Sequence, residues 1–193
     1  MAKDKTKDKI LSVAAKIFGK YGFQKTTVDE IARSAHKAKG SVYYYFESKE
    51  ELFKAVVELE IGVLKAGLTR VIVDSTDASN MFRNYLTYRM RLMKDAVNYH
   101  EALKADFIEE YEFLNESREN FMQFETDLMK AVLERGVREK IFQIEDTTAT
   151  AKVIILAIKA IEVPFYNQHR ISEYERTIVE LIDILVRGLG KSS

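Results

Sequence analysis

The chain contains no cysteine, one proline (Pro164) and only eight glycines in 193 residues. Each shortage excludes something. Without cysteine there can be no disulfide framework, thiolate metal site or cysteine nucleophile, and that usage fits a cytosolic protein. An all-β domain needs more turn-forming residues than are present, so the composition favours helices. Long apolar runs are also missing. The longest, residues 153–158, has six residues, against roughly 20 for a membrane span. The N-terminus, MAKDKTKDKI, alternates in charge and lacks the apolar core of a secretory signal. The expectation is a soluble, cytoplasmic chain with no membrane association. Histidine is scarce as well, at positions 36, 100 and 169, and none completes a Glu-x-x-His pair. The di-iron helical bundle is therefore absent, as are a Walker loop, a nucleophile elbow and zinc-type spacing. A helical-bundle enzyme is the weakest reading, and no catalytic residue, cofactor or metal is expected.

What is present is a large apolar fraction and a polarised distribution of charge. Hydrophobic residues make up 47% of the chain, ample for a buried core. The formal net charge is zero, yet residues 1–47 hold ten Lys/Arg and five Asp/Glu, a net +5, so the remainder carries −5. Between residues 95 and 127 ten acids face two bases, Lys104 and Arg118. A basic head on an acidic body is the asymmetry expected when one end meets phosphate. Chance clustering of surface charge is the bland alternative.

Hydrophobic spacing predicts about nine helices in an all-α fold: three in the head, one connecting and five in the body. Ile10, Leu11, Ala14, Ile17, Phe18 and Tyr21 form the apolar face of the first, over 5–20, and Gly22 suits its stop. Thr27-Val-Asp-Glu30 reads as a capping box opening a short helix to about Ala35. A second short helix begins near Ala38 or Lys39 and ends near Phe46. Ser48-Lys-Glu-Glu51 is another capping box, and Leu52, Phe53, Val56, Leu59, Val63 and Leu64 carry a long helix to about Ile72. After a polar segment at 74–79, a helix over 80–97 has Phe82, Tyr85, Leu86, Met93 and Ala96 on one face, with Arg89 among them. A shorter helix is expected over 101–110, then a long one over 115–138 burying Phe121, Phe124, Leu128, Met129 and Val132. Asp146 or Thr147 is placed to cap a helix over 148–163 that is apolar almost all round, which Pro164 should kink or end. Ser172-Glu-Tyr-Glu175 is a third capping box, opening a last helix with Ile178, Leu181, Ile182, Leu185 and Leu189 in a stripe.

The segment 26–53, TTVDEIARSAHKAKGSVYYYFESKEELF, resembles the TetR family of bacterial repressors, most strongly over about residues 7–57. Its pattern T-T-x-x-x-I-A-x-x-A, G-x-[LV]-Y-Y-[YH]-F and [SN]-K-E-x-L is met by TTVDEIARSA, the run 40–46 and SKEEL. Three positions depart from it: His36 for the turn glycine, Lys37 for a buried valine and Ala38 for a capping serine. The resemblance implies a DNA-binding helix-turn-helix domain over 1–48. Thr27 would touch phosphate, and Lys39, Gly40 and Ser41 would form the tip of the recognition helix. Tyr43, Tyr44 and Tyr45 would face the groove, and Lys49 would hold a backbone phosphate. Lys37 is a further candidate phosphate contact. Physical chemistry allows these roles, since tyrosine hydroxyls donate to phosphate and Lys39 or Ser41 can reach base edges. The competing reading makes Tyr43 to Phe46 core aromatics. At helical spacing they cannot all be buried, and Val42 with Phe46 is the core pair.

The resemblance also implies that residues 49–193 bind a small-molecule effector and dimerise. The helix at 148–163 is too apolar for a lone surface helix, and the 173–189 stripe is its plausible partner in a homodimer. Candidate ligand contacts are Tyr85, Tyr88, Arg89, Met93, Phe121, Phe124, Glu125, Glu162 and Phe165. Most are ordinary core by type. The charges beside apolar faces, Arg89, Glu125 and Glu162, need a partner, water or a ligand, and the simplest alternative is a salt bridge among them. The expected whole is a ligand-responsive repressor on double-stranded operator DNA. Its rival is a DNA-binding protein without a ligand.

Overall fold

A computed structural model describes residues 2–103, 109–167 and 171–190. Among these there are nine α-helices and no β-strand, as the composition predicts. They are α1 (Ala2–Tyr21), α2 (Val28–Ser34), α3 (Lys39–Tyr43), α4 (Lys49–Val73), α5 (Ala78–Asp95), α6 (Val97–Ala102), α7 (Asn115–Arg138), α8 (Thr147–Asn167) and α9 (Ile171–Leu189), with a 3-10 helix at Glu109–Leu114. The chain packs as two compact units, Met1–Gly62 with Ala96–Arg118, and Val63–Asp95 with Glu119–Ser193. The divisions fall inside α4, between α5 and α6, and inside α7.

In the first unit, Ile10, Ala14 and Phe18 of α1 are buried with Val28 and Ile31 of α2 and with Leu52 and Phe53 of α4. Phe18, Phe23 and Phe53 make an aromatic cluster, with centroids 4.8 Å (Phe18–Phe53) and 5.0 Å (Phe23–Phe53) apart. α1 stops where expected, at Gly22, whose φ of 80° is left-handed, and the Gly22 N–H closes on the Phe18 carbonyl at 2.7 Å. Tyr21, expected on the buried face, is 53% exposed and Ile17 only half-buried, because the stripe ends one turn earlier, at Phe18. On α4 the inward stripe is Leu52, Phe53, Val56, Val57, Ile61 and Leu64. Leu59 and Val63 point to solvent: they lie on the opposite side of the 3.6-residue period from Val57, Ile61 and Leu64. Ser48 does cap α4, its Oγ accepting from the Glu51 N–H at 3.0 Å. The return bond differs from a regular box, since the Glu51 carboxylate accepts from the Glu47 N–H.

In the second unit, α5 buries Phe82, Tyr85, Leu86 and Met93, and α7 buries Phe121, Met129, Val132 and Leu133. α5 starts two residues earlier than the spacing suggests, because Asp77 caps it. Its Oδ1 accepts from the Asn80 N–H at 2.9 Å, and the Glu139 carboxylate accepts from the Ala78 N–H at 2.9 Å. These backbone bonds hold both carboxyls below their ordinary values. α7 spans 115–138 as predicted, although Phe124 and Leu128 are only half-buried. It ends in a Schellman motif with Lys140 left-handed at φ 60°: the Ile141 N–H reaches the Gly136 carbonyl at 2.9 Å and the Lys140 N–H the Val137 carbonyl at 3.1 Å. A Cβ on Gly136 would lie 1.9 Å from Phe142 Cδ2, so the glycine is what lets that ring pack on the helix.

Asp146 is the cap of α8, accepting from the Thr148 and Ala149 N–H groups, both at 2.9 Å. α8 buries Ala151, Ile154, Ile155 and Ile158, while Val153 and Leu156 are exposed. Pro164 does not end the helix, which runs on to Asn167. A proline removes one intrahelical bond, and here less than one turn follows it. Ser172 lies inside α9 rather than at its cap; its side chain, with those of Glu175 and Ile178, falls outside the described residues. Of the helix expected over 101–110, the first two residues close α6 and the last two open the 3-10 helix; residues 104–108 lie outside the described residues.

Candidate nucleic-acid interface

The head contains three local devices that place the predicted contact residues. The first is the start of α2. Thr27 is its N-cap, with Oγ1 accepting from the Glu30 N–H at 3.3 Å and its own N–H donating to Glu30 Oε2 at 2.9 Å. The capping box is complete. The backbone N–H of Thr27, and then its hydroxyl, hold the Glu30 carboxyl below its ordinary pKa. Thr27 itself remains exposed.

The second is the turn. His36 has φ 54°. The Lys37 N–H bonds the Ala32 carbonyl at 2.9 Å and the His36 N–H the Arg33 carbonyl at 3.0 Å. This is a Schellman motif with histidine in the glycine position. The third is α3. Ala38 provides no side-chain cap, and the helix holds only five residues, so it stops at Tyr43 rather than Phe46. Val42 and Phe46 are buried, at 1% and 2% exposure, while Tyr43 and Tyr44 are 44% and 66% exposed. Tyr45 is half-buried and meets Tyr44 edge-on at 5.0 Å. Ser41 is half-buried and Gly40 exposed. No atom lies within 4 Å of where a Gly40 Cβ would sit, so the protein's own packing does not require a glycine there.

The lysines are less free than their sequence positions suggest. Lys39 Nζ donates to Asp29 Oδ2 at 2.7 Å, each side chain about half exposed (51% and 54%), and that hydrogen bond raises the Lys39 pKa. Lys37 Nζ is 3.5 Å from Thr6 Oγ1. Lys49 Nζ donates to the Phe23 carbonyl at 3.1 Å and lies 4.2 Å from the Phe23 ring centroid. Lys49 therefore fastens the first turn of α4 to the turn after α1. Sequence reasoning missed Asp29 and Phe23 as partners. They lie 10 and 26 residues away from the lysines they hold, and no local pattern signals them.

Residues 10–56, the stretch that carries all of these devices, match the family model of bacterial regulatory proteins of the tetR family. The head of the chain, residues 10–56, is a TetR-family N-terminal region. The chain is similar to the HTH-type transcriptional regulator QacR of Staphylococcus aureus, 27% identical over 188 residues that cover 96% of this chain and 98% of QacR. Among solved structures it resembles a transcriptional regulator from Cytophaga hutchinsonii, with TM-score 0.81, 21% identity and 94% and 97% of the two chains covered. It also resembles the transcriptional regulator FadR from Bacillus subtilis in complex with stearoyl-CoA, with TM-score 0.69, 16% identity and 90% and 96% covered. QacR and both of these solved structures are transcriptional regulators. Among its described residues no helix is long and apolar enough to cross a membrane.

In the second unit, three candidate ligand residues are brought together. Arg89 and Glu125 form a two-pronged ion pair, Nε to Oε1 at 2.5 Å and Nη2 to Oε2 at 3.1 Å. The Tyr85 hydroxyl donates to the same Oε1 at 2.8 Å. All three are buried. Of the alternatives open for these charges, the internal salt bridge is formed. Met93 and Phe121 are buried. Phe124 is half-buried, stacked on Phe121 at 6.3 Å and approached by Lys65 Nζ at 5.2 Å. Tyr88 lines a separate polar cleft of about 280 Å³ with Ser75, Asn84 and Arg91. The side chains of Glu162 and Phe165 lie outside the described residues.

Proposed function

We propose that this protein is a ligand-responsive repressor of the TetR family. Residues 1–48 bind DNA, and residues 49–193 dimerise and take a small-molecule effector. The dimer acts in the cytoplasm on a palindromic double-stranded operator, with one head on each half-site, about one helical turn or a small multiple apart. Thr27, Lys37, Lys39, Gly40, Ser41, Tyr43, Tyr44, Tyr45 and Lys49 make up the surface that meets DNA. The observation that carries the reading is the division of α3 and its flank. Val42 and Phe46 fill the core, while Tyr43 and Tyr44 stand in solvent beside a glycine that packing does not require.

Dimerisation is supported by α8, where Ala149, Val153, Leu156 and Ala160 form an exposed apolar row at four- and three-residue spacing. On α9, Val179 and Ile184 are 53% and 58% exposed. The effector is an elongated, partly apolar molecule, a reading supported by the acyl-CoA held by a protein of the same fold. Its binding favours a head spacing that no longer fits the half-sites. The second reading, a DNA-binding regulator without a ligand, is favoured by one observation: Tyr85, Arg89 and Glu125 already satisfy one another.

Three measurements test the proposal. Sedimentation should give a dimer, and duplexes selected by the protein from a random pool should contain two inverted half-sites. A monomer that enriches single half-sites would overturn the dimeric reading. A metabolite library that includes acyl-CoAs should contain a compound that raises Tm and releases the selected duplex. A library without effect would favour the second reading.

A further inference from the structure

The first unit holds a second basic surface that the recognition helix does not use. A cleft of about 460 Å³ opens between α1 and α2, lined by Lys16, Lys20, Tyr21, Lys25, Glu30 and Ser34. Lys16 and Lys20 are one turn apart on α1, and Lys25 lies in the turn before Thr27. All three are exposed, and none is in an ion pair among the described residues. Glu30, the one acid in the lining, is committed: its Oε2 accepts from both the N–H and the hydroxyl of Thr27, each at 2.9 Å. The cleft therefore presents three ammonium groups against one occupied carboxylate, a local charge of +2. Tyr21 adds a half-exposed ring, with Lys20 Nζ at 4.9 Å from its centroid. The protein's own fold does not account for this arrangement, because three like charges gathered on one opening repel each other.

We infer that the Lys16–Lys20–Lys25 cleft binds backbone phosphates of the operator duplex outside the bases read by α3, and so lengthens the footprint of each head. Three observations select duplex DNA as the source of phosphate. The cleft shares Glu30 with the capping box of Thr27, so it is continuous with the proposed DNA surface. Its charge is spread over three positions of the chain rather than focused on one point, as suits a row of phosphates. It also has no buried polar group to orient a small anion. The contact is independent of sequence, since lysine to phosphate carries no base information. The inference rests on the DNA-binding reading proposed above.

The test uses full-length protein and a duplex selected by the wild type, prepared in two lengths. One contains only the two half-sites; the other has ten base pairs of unrelated sequence added at each end. The variant is Lys16→Gln/Lys20→Gln/Lys25→Gln, whose exposed sites leave the fold intact by circular dichroism. Each phosphate contact contributes about 0.9 to the slope of log affinity against log salt. The dimer presents the cleft twice, six ammonium groups in all, so on the long duplex the variant slope should fall by about 5. Between 50 and 200 mM salt the wild type should then lose about a thousand-fold more affinity than the variant. On the short duplex the two proteins should bind alike. Equal slopes on the long duplex would overturn the inference, as would an equal loss on both lengths. Wild type that selects no duplex would instead defeat the DNA-binding reading beneath it, a distinguishable result. Inorganic phosphate at 10 mM that shifts the Tm of wild type but not of the variant would assign the cleft to a free anion and also overturn the inference.

Discussion

Glu125→Leu is the perturbation whose cost follows most directly from the geometry. The substitution removes the carboxylate that accepts both prongs of Arg89 and the hydroxyl of Tyr85. Arg89 is 1% exposed and Glu125 is fully buried, so water cannot replace the lost acceptor. Breaking a buried pair by removing one member costs about 3–5 kcal/mol. For a chain of this size 1 kcal/mol corresponds to roughly 2–4 °C in Tm, which places the fall at about 6–20 °C. Removing both charges should behave differently. Arg89→Met/Glu125→Leu replaces the pair by apolar groups of similar volume, and such exchanges are often neutral or stabilising. The double variant should therefore recover most of the loss. Thermal unfolding followed by circular dichroism, with urea midpoints as a second measure, gives the four corners of the cycle. A fall below about 2 °C for Glu125→Leu, or a double variant less stable than either single, would refute the reasoning. The charges would then have been held for a ligand rather than for each other.

Three further outcomes are expected. His36→Gly should stabilise the protein by up to about 1 kcal/mol. It removes the left-handed strain of a non-glycine residue, partly offset by the greater backbone freedom of glycine when unfolded; urea midpoints check it, and a lower midpoint would contradict the turn described here. Gly136→Ala should cost about 1–3 kcal/mol, because its Cβ would collide with Phe142, itself packed on Phe82 at 6.1 Å; an unchanged Tm would count against that packing. Burial raises the Glu60 carboxyl pKa, opposed by hydrogen bonds from the Asn98 side chain and the Tyr99 and Asn98 N–H groups. The folded protein then binds this proton more tightly than the unfolded chain, so stability falls as pH rises from about 4.5 through the raised folded value. Glu60→Gln should flatten that dependence in urea titrations between pH 4.5 and 7.

The parts of the fold legible in the sequence are those set by local chemistry. The Thr27–Glu30 box, the Gly22 stop, the Asp146 cap and the 115–138 helix need only neighbours within one turn. The left-handed His36 is likewise visible as a glycine position filled by another residue. Facing was less legible. Leu59 and Val63 look like core by type, and only the packing of Val57 and Ile61 decides which side of α4 turns inward. Pro164 signals a helix end, yet α8 outlasts it, because a lost bond near a terminus costs little that the helix had. Partners across the chain were not legible at all. Lys39 and Lys49 were visible as cations beside a recognition motif, but Asp29 and Phe23, which hold them, lie elsewhere in sequence. Arg89 and Glu125 stood out as charges on apolar faces, although pairing and ligand binding would look the same in a one-dimensional pattern.

The central claim is that the exposed tyrosines of the head meet DNA. Its most direct test is fluorescence anisotropy of wild type and Tyr44→Ala on one selected duplex across 50 to 200 mM salt, with Tm measured for both. Tyr44 is 66% exposed, so the account predicts an unchanged Tm and an affinity for the dimer reduced about a hundredfold, one hydrogen bond to a charged group from each of the two heads. Salt-insensitive binding by wild type, or equal affinity for the two proteins, would contradict it.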